Sequence, residues 1–78
     1  MIEIEIEWLG AIRRPWPEQQ KRLSVPEEST ISDLLTRFQF KDDERRFIVS
    51  QVNGMRAKET TRVQAEDRVT FMLIVGGG

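Results

Sequence analysis

"EESTISDLLTRFQF", residues 27–40, is where the period of the chain changes. Before it, apolar and polar residues alternate. Within it, Ile31, Leu34, Leu35 and Phe38 fall at i, i+3, i+4 and i+7, the stripe of a helix that buries one side. Thr30 with Asp33 has the form of a capping box, with Asp in place of the usual Glu, and Ser29 is a rival cap. A single amphipathic helix can cover only one face of a sheet, so the expected class is an α+β layer pair.

Working outward, "IEIEIEW" (residues 2–8) alternates strictly, with Ile2, Ile4, Ile6 and Trp8 facing one way and Glu3, Glu5 and Glu7 the other. That is the period of a half-buried strand. "GAIRRPWP" (10–17) carries a glycine and two prolines and reads as a loop. In "QQKRLSVP" (19–26), Leu23 and Val25 alternate with Arg22 and Ser24, giving a second strand in a hairpin with the first, and Pro26 ends it. After the helix, "KDDERR" (41–46) reads as a polar connection. "FIVSQVNG" (47–54) is strand-like at Phe47, Ile48, Val49 and Val52, and Asn53-Gly54 is a strong turn signal. "MRAKETTRV" (55–63) reads as a short edge strand and loop, exposed at Arg56 and Lys58. "QAED" (64–67) is a turn. "RVTFMLIV" (68–75) is a last strand with Val69, Phe71, Leu73 and Val75 on one face and Met72 and Ile74 on the other.

Strand, strand, helix, strand, short strand, strand is the order of a β-grasp (ubiquitin-like) fold: a mixed sheet of four to five strands with one helix on one face. The first strand is expected between the second and the last. Its glutamates repel one another, and Arg22 on one side with Arg68 on the other are the candidates to offset this by cross-strand pairing.

Composition narrows the function. At 78 residues and 9.1 kDa the chain is one small domain with a single core. Twelve basic against thirteen acidic residues give a net charge of −1, which offers no electrostatic basis for nucleic-acid binding. There is no cysteine and no histidine, so no disulfide framework, thiolate nucleophile or cysteine metal site. "MIEIEIEW" has neither the basic start nor the apolar stretch of a signal peptide, and no apolar run is long enough for a membrane span. The expected location is the cytoplasm.

The chain closes on "FMLIVGGG", a strand running into three glycines, which pack nothing and have the most backbone entropy to lose. The expected division is a domain over residues 1–75 and a glycine tail over 76–78. From residue 63 to 78, "VQAEDRVTFMLIVGGG" resembles the closing segment of the ThiS/MoaD sulfur-carrier family. Val63 matches that family's hydrophobic residue before the turn, Glu66-Asp67 its acidic pair, and Val69 the first inward residue of the last strand. Val75 matches the residue before the tail, Gly76 the spacer and Gly77-Gly78 the diglycine. Ala65-Glu66 stands where the family usually has a glycine beside the acidic residue. Leu73-Ile74 replaces the proline pair of many molybdopterin-synthase small subunits, which leans toward the thiamine-type carriers.

The resemblance implies a carrier without catalytic residues of its own, whose reactive group is the α-carboxylate of Gly78. Such a carboxylate, with an ordinary pKa of about 3.3–3.7, is ionised at neutral pH and a poor acyl donor. The resemblance supplies the activation: a ubiquitin-activating-type adenylyltransferase uses ATP to form an acyl-adenylate. A sulfur donor converts this to a thiocarboxylate, and a sulfur-accepting synthase of thiamine or molybdopterin type receives the sulfur. No cofactor is bound by the carrier itself. Gly76 and Gly77, without Cβ atoms, would thread a narrow channel, and Phe71, Met72, Ile74 and Val75 are the expected docking residues. Two alternatives stand: a ubiquitin-like modifier joined through Gly78 to lysines, and a β-grasp binding module. Three other stretches carry rival readings. Glu3, Glu5 and Glu7 read as a solvated strand face or a partner contact. "KDDERR" lacks the ligand spacing and glycine of a calcium loop. "RRPWP" (13–17) reads as a loop whose Trp16 covers the sheet edge, against a base-stacking platform.

Overall fold

Isoleucines at alternate positions are buried together only if the backbone is extended, because successive side chains point to opposite faces. The computed structural model describes residues 1–10 and 12–73. Strand β1 (Ile2–Leu9) buries Ile4, Ile6 and Trp8 on one face. Strand β2 (Gln20–Val25) lies antiparallel to it, with Val25 opposite Ile2 and Leu23 opposite Ile4.

Helix α1 (Ile31–Arg37) begins in the expected capping box: Asp33 N donates to Thr30 Oγ1 (3.1 Å) and Thr30 N to Asp33 Oδ2 (2.9 Å). Ser29 instead donates its hydroxyl to the Pro26 carbonyl (2.6 Å), closing the preceding turn. Ile31, Leu34, Leu35 and Phe38 are buried. The helix ends in a Schellman motif, with Phe40 N donating to Leu35 O and Gln39 N to Thr36 O, both at 3.0 Å. Gln39 takes φ 64°, and the reversal delivers Phe40 to the core.

"KDDERR" is not a plain connection. It forms a second helix, α2 (Asp42–Arg45), so the described residues hold two helices where one was expected. Four residues are too few to show a period. The local chemistry explains the helix: Glu44 accepts from Lys41 N (3.0 Å), and three acidic residues in the first turn suit a helix N-terminus. Arg45 pins α2 to α1 by donating to the carbonyls of Phe40 and Ser32 and to the Thr36 hydroxyl.

Strand β3 (Ile48–Val52) starts one residue later than expected, leaving Phe47 outside it and 51% exposed. Asn53 and Gly54, at φ 53° and 84°, make the two-residue turn into β4 (Met55–Ala57). Both residues of that turn need the left-handed region, which Asn tolerates and Gly adopts freely. Strand β5 (Arg68–Leu73) runs parallel to β1 and antiparallel to β3, giving the order β2-β1-β5-β3-β4. The mixed sheet, the place of β1 and the short exposed edge strand at Arg56 are as the sequence predicts.

Between the sheet and α1 lies an aromatic cluster centred on Trp8, whose ring is 5.2 Å from Phe71, 5.4 Å from Phe38, 5.7 Å from Trp16 and 5.8 Å from Phe40. Trp16 belongs to this cluster beside the edge strand β2. It packs edge-on against Trp8 and Phe38, with the Lys21 ammonium 5.2 Å above it. Neither indole N–H has an acceptor among the described residues, so both rings serve the core through their area.

The other face of the sheet is polar. Arg22 bridges Glu3 (3.0 Å) and Glu66 (2.9 Å), and Arg68 pairs with Glu5 (3.3 Å), so the two arginines offset the glutamate repulsion from both sides. Glu66 and then Glu3 raise the Arg22 pKa above its ordinary value, through hydrogen bonds to the charged guanidinium. Glu7 is held by neutral donors, Gln20 Nε2 (2.8 Å) and Thr70 Oγ1 (3.3 Å).

Candidate functional site

Strand β5 lies third among five strands, and its two ends are built differently. At its start, Asp67 accepts from Gln64 N (2.7 Å) and Asn53 Nδ2 (2.9 Å), and Asn53 Oδ1 accepts from Arg68 N (2.9 Å). Glu66 N donates to Glu3 O (2.7 Å) and Glu5 N to Asp67 O (2.9 Å), tying the turn to β1. Glu66 takes φ 69°, a left-handed conformation that suits glycine. This is the turn whose Ala65-Glu66 departs from the sulfur-carrier pattern. The Arg22 bridge and the Glu3 carbonyl hold the non-glycine residue there, against a strain of about 1 kcal/mol or more.

At the other end, register places Met72 between Leu9 of β1 and Val49 of β3 on the polar face, and Leu73 opposite Ile48 on the core face. Leu9, Met72 and Val49 are all half-buried, a short apolar row at the rim of an otherwise charged surface. On the core side, Leu73 and Ile48 join Ile12, Phe40 and Phe47 in a shallow groove rimmed by Arg13, Asp43 and Glu44. Arg13 bonds Glu44 (3.2 Å) and lies 4.6 Å over the Phe40 ring. Glu44 titrates below the ordinary carboxylate range, chiefly because it accepts from Lys41 N and then because of the Arg13 guanidinium.

Of the expected docking residues, Met72 is half-buried and borders solvent. Phe71 is a correction. It is 0% exposed, stacked on Trp8 and fixed opposite Ser50, because alternation turns it to the core as it turns Met72 outward. Ile74, Val75, Gly76, Gly77 and Gly78 lie outside the described residues. Sequence reasoning missed Leu9, Val49, Ile48 and Phe47 as neighbours of the strand's end. They come from two segments far apart in the chain, and the register that joins them to β5 is not a local signal. Among the described residues, no group of three His, Cys, Asp or Glu could hold a metal ion, and no helix is long and apolar enough to cross a membrane.

The model of the ThiS family matches residues 9–78. The chain belongs to the ThiS family. No curated protein sequence matches this ThiS-family chain. Among solved structures, SAMP1 from Haloferax volcanii superposes with a TM-score of 0.74 at 20% identity, over 97% of this chain and 99% of that one. A putative molybdopterin converting factor subunit 1 from Pyrococcus furiosus gives 0.76 at 13% identity, over 96% and 100%. A complex of subunits 1 and 2 of the Helicobacter pylori molybdopterin-converting factor gives 0.64 at 16% identity, over 99% and 100%. At these identities the likeness is one of fold. The fold of this ThiS-family chain is thus the one shared by small sulfur carriers and ubiquitin-like modifiers.

Proposed function

We propose that this ThiS-family chain is a sulfur carrier whose working atom is a carboxylate oxygen of Gly78. The observation that carries the proposal is the family match over residues 9–78, which runs through the three glycines. A carboxylate oxygen of Gly78 attacks the α-phosphorus of ATP in the active site of a ubiquitin-activating-type adenylyltransferase, and pyrophosphate leaves. Hydrosulfide released by a sulfur donor then attacks the acyl carbon, AMP leaves, and the resulting Gly78 thiocarboxylate carries sulfur to an accepting synthase of thiamine or molybdopterin type. ATP is bound by the partner, and the carrier contributes no catalytic side chain.

The half-buried row Leu9, Met72 and Val49 supports docking beside the strand's end, because an apolar contact there brings the partner next to the residues leading to Gly78. Gly76 and Gly77 would enter the partner's channel, with Ile74 and Val75 at its mouth. Incubating the chain with a competent activating enzyme, ATP and a sulfur donor should yield a species heavier by one oxygen-to-sulfur exchange at Gly78. Absence of that species from the complete reaction would sink the proposal.

A second reading is favoured by the likeness to SAMP1, a small archaeal modifier protein. Here the activated Gly78 forms an isopeptide bond with a lysine of another protein. Adducts that vanish when Gly77 and Gly78 are deleted would establish it.

A further inference from the structure

Asn53 is the one asparagine in the chain, and it precedes Gly54. An asparagine before glycine meets no side chain that hinders attack by the next backbone nitrogen on its own carboxamide. Both residues are exposed, yet three hydrogen bonds restrain Asn53. Its Nδ2 donates to Asp67 Oδ1 (2.9 Å), its Oδ1 accepts from Arg68 N (2.9 Å), and its backbone N donates to Arg68 O (2.8 Å). The carboxamide is thereby turned toward the start of β5 and committed at both ends.

We propose that Asn53 is a deamidation site that the native fold holds closed, and that its modification releases the start of β5. In the reaction the Gly54 nitrogen bonds to Asn53 Cγ and the Cγ–Nδ2 bond breaks. Ammonia departs with the proton lost from the Gly54 amide, leaving a succinimide. Water then opens the ring at either carbonyl, giving aspartate or isoaspartate, and no oxidant or reductant is involved. For Cγ to meet the Gly54 nitrogen, the bonds to Asp67 and Arg68 must first break. The reaction therefore runs from a locally opened turn and is slowed by the opening equilibrium. The product removes the Nδ2 donor and sets a carboxylate against the carboxylate of Asp67, leaving like charges where a hydrogen bond had been. The isoaspartate form also lengthens the backbone within a two-residue turn, which displaces the register of Val52 opposite Met55. The apolar row at Met72 lies at the far end of β5, and the change does not reach it.

The test uses the whole purified chain at mildly alkaline pH, folded in buffer and unfolded in concentrated urea, with amide-to-acid conversion at Asn53 followed by peptide mass mapping. The unfolded chain should convert at least about tenfold faster than the folded one. Equal rates, or no conversion in urea, would overturn the proposal. Asn53→Asp, which installs the aspartate product directly, should lower the urea midpoint with the slope unchanged. An unaltered midpoint would overturn the claim that modification loosens β5.

Discussion

At its start, β5 is held by directional polar bonds: Asp67 to Gln64 and Asn53, Glu66 to Glu3, and Arg22 across two glutamates. At its end, the backbone ladder continues, but the side chains of Met72 and Leu73 meet only apolar neighbours, Leu9, Val49 and Ile48, whose contacts impose no direction. Hydrogen bonds lose their value within a fraction of an ångström, whereas apolar contact scales with area and tolerates a change of neighbour. One strand thus has an end that fixes register and an end whose apolar atoms can exchange solvent for a partner.

The harshest way to break this contrast is to remove the floor beneath it. Trp8→Ala empties the centre of the aromatic cluster and should cost about 3–5 kcal/mol, most of the stability of a small domain. Urea denaturation of a variant that retains cooperative unfolding with a loss under about 1 kcal/mol would show that Trp8 is not the keystone. Next, Asp67→Ala removes the acceptor for two hydrogen bonds at the anchored end and should cost about 2 kcal/mol. Proton exchange at the Gln64 and Arg68 amides should accelerate, while that of the Met72 amide follows only the global loss.

Met72→Ala tests the opposite end. With Met72 half-buried, the stability change should stay within about 1 kcal/mol. Turnover by an activating enzyme, measured as kcat/KM for the carrier, should fall about tenfold. Unchanged kcat/KM would remove the apolar row from the docking surface. The smallest effect belongs to Glu44→Gln at the groove rim. The folded-state pKa of Glu44 lies below its unfolded value, so its contribution is complete above the ordinary carboxylate range and is lost as pH falls through the folded value. The substitution should lower stability slightly at neutral pH, where that contribution is present, and converge with the parent chain at acid pH, so that the acid side of the stability-versus-pH curve flattens.

How much could be read in advance depended on the range of the signal. The isoleucine alternation, the Ile31-Leu34-Leu35-Phe38 stripe, the Thr30-Asp33 cap and the Asn53-Gly54 turn are local patterns with local causes, and each appears where the sequence places it. Helix α2 escaped notice because four residues hold no period and its stabilising contacts run from Arg45 to residues 32, 36 and 40. Phe71 was misplaced as a docking residue, and the aromatic partners of Trp16 were not foreseen. The loop carries no period to say where Trp16 turns, and Phe71 alternates with a residue that does face solvent. Left-handed Gln39 and Glu66 could not be foreseen, since neither is a residue that advertises φ above zero.

By itself the sequence determined the strands and the first helix, their order, the inward and outward sets along each strand, and the family, because backbone sterics and side-chain alternation act within a few residues. Only tertiary structure decided that Leu9, Met72 and Val49 form one row, that Phe71 is closed to partners, and that Asn53 is bound to the start of β5. Those facts depend on strand register, which is chosen by burying all the inward residues at once, and no short stretch of chain contains that information.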